Sequence, residues 1–190
     1  MTPESSAPPT PASAGRRRLL LAGAAVAGTG LAAGGLWLAA PAAATGVFES
    51  LPQAYKTLES LHRGSAHTLE GWDLAAVLHH AAQSVEYSMQ GYPQLKGPWF
   101  RSSVGPAAFA VFDHFHTMRH NLAEPIPGAP AIEPGQPLGP AIDHAVAALQ
   151  AFERYPGPLA PHFAYGDLDK ARYLHAHLLH FSNHWQRVAT

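Results

Sequence analysis

Apolar and polar positions follow the period of an α-helix in five segments, and no segment shows the sustained period of two that a half-buried strand requires. We predict helices over residues 50–63, 74–90, 106–121 and 141–155, and a last helix that ends near residue 188. Asp73 is a suitable N-cap for the second helix, and Asp167 or Asp169 for the last. Pro- and Gly-rich residues 123–140 predict an ordered loop. The pattern therefore predicts an all-α fold, an up-down bundle of four or five helices.

The first 44 residues have the composition of an export signal. Residues 1–15 are rich in Ser, Pro and Ala, and Arg16-Arg17-Arg18-Leu19-Leu20 and an uncharged run reaching Ala44 follow them. Positive charge before an Ala/Gly-rich apolar segment, with small residues at 42–44, is typical of a twin-arginine signal. We predict a disordered n-region and signal over 1–44, the Tat export machinery as a partner, and a domain of residues 45–190 exported to the periplasm. A membrane anchor is the alternative, because residues 19–44 exceed the roughly 20 that span a bilayer.

The composition of residues 45–190 excludes several classes of function. Without Arg16, Arg17, Arg18 and Glu4, 9 of the 12 basic and 12 of the 13 acidic residues are left, a net charge of about −3. A mildly acidic domain lacks the basic surface that binds nucleic acid. The chain has no cysteine, which rules out disulfides, thiolate metal sites and a cysteine nucleophile.

Histidine is the unusual component, because all 13 histidines follow residue 60. On a projection of the last helix at about 100° per residue, His177, His180 and His184 form a stripe beside the apolar face. His180 and His184 are four residues apart, so their rings lie one turn above the other and can share a metal ion.

The second helix carries His80 on the flank of its apolar stripe, in line with Ser84 and Tyr87. Two histidines from one helix and one from another, with open positions, would form a reactive metal site. The alternative is a set of border histidines that are hydrogen-bonded to the backbone or to each other.

Several segments resemble a family of domains of unknown function, family 1569. They are WDL at 72–74, VLHHAAQSVEYSM at 77–89, GYP at 91–93, EPIPG at 124–128 and PHFAYG at 161–166. The resemblance covers nearly all of residues 45–190. Because that family lies near the DinB/YfiT-like superfamily, the resemblance implies an up-down-down-up four-helix bundle. It also implies a divalent metal held by one histidine of the second helix and two of the last.

Carried over by position, the resemblance implies His80 as one ligand and His180 with His184 as the pair on the last helix. The usual pattern has a histidine followed three and four positions later by two more. Here His177 and His180 match the first two, and Phe181 occupies the third. The pair is therefore His180 with His184, which the spacing of four favours, or His177 with one of them.

The resemblance implies a metal-dependent enzyme that acts on a small molecule, since characterised relatives in the superfamily include thiol-dependent transferases and isomerases. We expect the three ligands to hold Zn or Ni with an exchangeable water. Alternative ligands or assisting groups are expected among Ser84, Tyr87 and His177. The alternative function is a non-catalytic domain that binds a metal or a small ligand. An open coordination position beside a pocket would favour catalysis, and a saturated site would favour binding.

Overall fold

Six helices and one short strand pair form the part of the chain that the computed structural model describes, residues 47–189. The helices are α1 (Leu51–Ser60), α2 (Leu74–Gln90), α3 (Pro98–Ser102), α4 (Val104–Phe115), α5 (Leu138–Arg154) and α6 (Lys170–Trp185). A 3-10 turn, Leu61–Arg63, continues α1, and strands β1 (His67–Thr68) and β2 (Val188–Ala189) pair antiparallel. The fold is an all-α bundle, as predicted. The predicted signal over residues 1–44 lies outside the described residues.

Two aspartates begin the helices that carry most of the candidate ligands. Asp73 Oδ1 accepts a hydrogen bond from the Ala76 N–H at 2.8 Å, and Asp169 Oδ1 accepts one from the Arg172 N–H at 2.8 Å. Each cap provides a partner for an N–H that the first helical turn leaves unpaired, and stabilises the protein by about 1 kcal/mol. Helix α2 has its predicted bounds, and Asp169 rather than Asp167 begins α6. Helix α6 ends at Trp185 and not near residue 188, because β2 pairs there with β1.

The hydrophobic core lies between α1, α2, α5 and α6, and α2 packs most extensively along α5. Its largest fully buried apolar side chains are Tyr173, Phe109, Phe152, Leu58, Leu78, Ile142, Leu149 and Val85. Burying a side chain of this size stabilises the fold by about 1.5–3 kcal/mol. The core therefore fixes α2 and α6 rigidly beside each other. Within residues 47–189, no helix is both long enough and apolar enough to cross a bilayer.

The prediction for the third helix is wrong at its C-terminal end. The pattern predicted a helix to residue 121, but α4 ends at Phe115. His116 adopts the left-handed conformation (φ 49°, ψ 38°), and residues 117–120 have no regular secondary structure. A non-glycine residue in this conformation costs roughly 1–2 kcal/mol. Burial of Met118 offsets that cost, and the turn directs the following segment toward α6.

Candidate functional site

Four histidine rings from three separate parts of the fold meet between α2 and α6. His80 belongs to α2, His180 and His184 lie one turn apart on α6, and His120 lies in the segment after α4. One nitrogen of each ring lies within 4.8 Å of the corresponding nitrogens of the other three. The Nε2 atoms of His180 and His184 are 3.1 Å apart. The His80 ring centroid lies 5.0 Å from that of His180 and 5.2 Å from that of His184. The structure thus brings together the three histidines predicted as ligands and adds a fourth histidine.

Burial keeps these four rings neutral at neutral pH. His80 and His184 are each 3% exposed, and His120 and His180 are half-buried. Desolvation lowers the pKa of His80 and of His120 to about 4. Desolvation and the neighbouring histidines hold the pKa of His180 and His184 well below the usual value. A neutral imidazole keeps a lone pair that can bind a metal ion.

Three nitrogens of the cluster are buried without a hydrogen-bond partner among the described residues. They are Nδ1 and Nε2 of His80 and Nε2 of His120. A buried polar atom without a partner costs about 1–3 kcal/mol. Four tetrahedral ligands about 2.0–2.1 Å from a zinc ion lie about 3.3 Å from one another, so small side-chain shifts would close this cluster around one ion. The residues present therefore fit a divalent metal.

Asn183 ties the ring of His120 to α6. Its side chain is 5% exposed, and its amide lies 2.8 Å from Nδ1 of His120. The other ring nitrogen, Nε2, is buried without a hydrogen-bond partner. A polar partner behind a metal-binding imidazole fixes the orientation of the ring and its tautomer.

A cavity of about 240 Å³ borders the cluster. His80, His120 and His180 line it, and its apolar wall includes Phe100, Met118, Ile126 and Phe163. Three of the four histidines therefore border the cavity, whereas His184 does not.

The residues predicted to assist the ligands lie in different places. Ser84 is buried and lines the cavity. Tyr87 lies against Tyr92, with ring centroids 5.8 Å apart, and does not border the cavity formed by the described residues. His177 lines the cavity, but it lies outside the group of four histidines.

His177 packs among core side chains one helical turn before His180. Its ring stacks on Tyr173 at 5.5 Å and meets the edge of Phe152 at 5.0 Å. Its Nε2 lies 3.3 Å from Oγ of Ser88, a hydroxyl that donates its proton to the Val85 carbonyl at 2.6 Å. His177 therefore donates from Nε2 to that hydroxyl oxygen.

Two histidines of the cavity were missed by the sequence reasoning. His120 lies in a segment that was predicted to be helical, so its position could not be projected correctly. His162 lies in PHFAYG, which supported the family resemblance without receiving a role. Both lie in irregular segments, where helical spacing carries no information.

Comparison with known proteins places the chain in a family. No curated protein and no solved structure matches the chain. The family described as "Protein of unknown function (DUF1569)" matches residues 45–190, a range that includes the whole histidine cluster and the cavity. On the strength of that coverage, the chain belongs to the DUF1569 family.

Proposed function

We propose that this protein is a DinB-like metal-binding protein and a metal-dependent enzyme that acts on a small molecule bound in the cavity. The observation that carries the proposal is the convergence of four neutral imidazoles, two of which have buried nitrogens without partners. His80, His120, His180 and His184 would hold the ion, and catalysis would need a fifth position on it for the bound molecule. We propose Zn or Ni, since imidazole suits both.

A divalent ion at this position would supply a Lewis acid and would lower the pKa of a bound water or thiol. The protein's own residues would do the rest. When His120 binds through Nε2, its ring proton lies on Nδ1, and the side-chain oxygen of Asn183 can accept it after a half-turn of the amide. The apolar wall of the cavity, which includes Phe100 and Phe163, would exclude water from the bound molecule.

A second candidate function is metal binding without catalysis. Four imidazoles saturate a tetrahedral ion such as zinc and leave no position for a substrate. The presence of His120 beside the three expected ligands favours this candidate, while the cavity on the other side of three rings favours the enzyme.

Elemental analysis tests the metal site. Protein purified without chelators and loaded with Zn²⁺ or Ni²⁺ is expected to retain about one ion per chain, as one cluster of four ligands holds one ion. His180→Ala is expected to lose the ion. His114→Ala, which replaces an exposed histidine of α4, is the matched control and is expected to retain it. A wild-type protein that retains no ion after loading would eliminate both candidate functions.

Cobalt substitution separates the two candidates. A closed site of four imidazoles gives the intense visible absorption of tetrahedral Co²⁺, and added azide leaves the spectrum unchanged. An open site changes its spectrum when azide occupies the free position. If the protein is an enzyme, azide should change the spectrum. A spectrum that azide leaves unchanged would favour the binding protein.

We also propose that residues 1–44 direct the protein through the Tat machinery to the periplasm. Support comes from Arg16-Arg17 ahead of a moderately apolar run and from the small residues before Thr45. A fusion of these residues to a reporter that is active only after export is expected to give signal, and replacing Arg16–Arg18 by lysines should abolish it. The mass of the exported protein then distinguishes cleavage before Thr45 from a retained membrane anchor.

A further inference from the structure

His162 lines the cavity with the position of its ring proton fixed by the backbone. The N–H groups of Ala164 and Tyr165 both lie 3.1 Å from Nδ1 of His162 and donate to it. An atom that accepts two hydrogen bonds carries no proton, so the neutral ring has its proton on Nε2. Nε2 has no hydrogen-bond partner among the described residues. Unlike the unpartnered nitrogens of His80 and His120, it is not fully buried. The ring therefore presents a fixed donor.

The turn that carries His162 is held rigidly. His162 and Gly166 exchange two backbone hydrogen bonds, at 2.8 and 3.2 Å. The ring stacks on Tyr165 with centroids 4.2 Å apart and an interplanar angle of 5°. On the other side, α4 approaches the turn so closely that a Cβ on Gly105 would lie 1.8 Å from the Ala164 carbonyl oxygen. A donor on such a turn is preorganised, which lowers the entropic cost of binding a ligand.

The side chains that line the cavity, as distinct from an ion held by the histidine cluster, carry no net charge. Burial holds the pKa of His162 well below its usual value, and burial lowers the pKa of His177 to about 3. Both rings are therefore neutral at neutral pH. At the exposed end of the cavity, Lys96 and Glu124 have opposite charges. The part of a ligand that lies beside His162 would therefore meet a hydrogen-bond donor and no fixed charge from these two rings.

We propose that His162 binds the substrate, and that the substrate is a largely apolar molecule whose carbonyl oxygen accepts a hydrogen bond from Nε2 of His162. Ketones, aldehydes, esters and amides have such an oxygen, and the apolar wall of Phe100, Met118 and Ile126 takes the rest of the molecule. The inference rests on the proposed function in one respect: the bound molecule is a substrate because the same cavity borders the histidine cluster.

Acetophenone and α-methylstyrene are a matched pair of probes, because they share one shape and differ in replacing the carbonyl oxygen by a methylene group. Ligand-observed NMR titrations would use the full domain in metal-free and metal-loaded form. Acetophenone is expected to bind about tenfold more tightly, as one hydrogen bond to an otherwise unpaired donor predicts. The preference should appear in both forms.

His162→Asn is the test variant, since the amide oxygen of Asn can replace Nδ1 as acceptor for the two backbone N–H groups while the Nε2 donor disappears. The preference for acetophenone is expected to vanish in this variant and to persist in His114→Asn, which changes an exposed histidine. Equal binding of the two probes to the wild type, no binding of either, or a preference that survives in His162→Asn would overturn the inference.

Two further measurements keep the test decisive. ¹⁵N shifts of the wild-type imidazoles are expected to show His162 as the Nε2–H tautomer. The shift of Nε2 is expected to change when acetophenone is added and to stay constant when α-methylstyrene is added. A proton on Nδ1 would overturn the inference even if His162→Asn does not fold. Metal content measured on the same samples should be equal in wild type and His162→Asn. If the wild type holds no ion, the proposed enzyme fails while the ketone preference of the metal-free protein still decides the role of His162.

Discussion

Replacing His177 by phenylalanine is expected to make the protein less sensitive to acid. His177 is 2% exposed and packs between Tyr173 and Phe152, so desolvation lowers the pKa of its ring to about 3. The same ring in the unfolded chain has a pKa of about 6.5. Below that value the unfolded chain takes up a proton that the folded protein does not. The titration of this ring therefore does not change stability above about pH 6.5. As the pH drops from there toward 3, the free energy of unfolding falls.

The magnitude follows from the two pKa values. Between about pH 7 and pH 5 the unfolded ring becomes almost fully protonated while the folded ring stays neutral, which lowers the free energy of unfolding by about 2 kcal/mol. Phenylalanine keeps the flat ring between Tyr173 and Phe152 and removes the titration. Ser88 loses a long contact but keeps its hydrogen bond to the Val85 carbonyl. The wild type is therefore expected to lose about 2 kcal/mol more than His177→Phe over this pH interval.

Urea unfolding followed by circular dichroism at pH 7 and pH 5, with a chelator present, measures this difference. The absolute stability of His177→Phe at either pH does not matter, since only the change between the two is compared. His114→Phe, at an exposed position of α4, is expected to lose as much stability as the wild type. Equal losses for the wild type and His177→Phe would show that the buried ring is protonated in the folded protein, which would refute the reasoning.

Three other predictions concern the metal site and the turn that borders it. A free metal concentration of about 1,000 times the Kd should raise the free energy of unfolding by about 4 kcal/mol, measured by calorimetry, and His180→Ala should abolish the effect. Asn183→Leu, which leaves Nδ1 of His120 without its partner, is expected to weaken metal binding about 10- to 100-fold in a competition with a chelator; unchanged affinity would show that the contact does not position the ring. Gly105→Ala is expected to cost about 1–3 kcal/mol, because its Cβ would lie 1.8 Å from the Ala164 carbonyl oxygen. The matched control is Gly139→Ala in α5, where a Cβ meets nothing within 4 Å and denaturant unfolding should show no loss.

Local signals explain which helices could be predicted from the sequence. Helix α2 has its predicted bounds because Asp73 caps its first turn and Gly91, at φ 100°, ends it. Helix α4 ends six residues before its predicted end because His116 adopts the left-handed conformation, which histidine enters more readily than most residues but which the residue type alone does not fix. The turn is followed by Met118, whose side chain is buried in the fold. Such an end depends on tertiary contacts and cannot be found from local sequence.

The same distinction applies to the candidate site. Helical periodicity placed His80 on the flank of α2 and His180 with His184 on the flank of α6, and the observed packing brings these flanks together. His120 and His162 come from irregular segments, so their contribution depends on backbone turns that no spacing rule describes. His177 was predicted on the same stripe as His180 and His184, but its ring packs against Phe152 and Tyr173 and is not part of the group of four.

The distribution of buried polar side chains links the cluster, the cavity and His162 in one functional region. The seven buried polar residues of the described chain are His80, Ser84, Ser88, His162, His177, Asn183 and His184. Four of them line the cavity, and each of the other three contacts a histidine that lines it. The core elsewhere in residues 47–189 is apolar. Burying a polar group costs free energy unless it is hydrogen-bonded, and the cluster includes buried nitrogens of His80 and His120 without partners, so a fold shaped by stability alone would have no reason to gather these groups around one cavity. Their concentration there is the expected result if the sequence was selected for binding a metal and a ligand at this place.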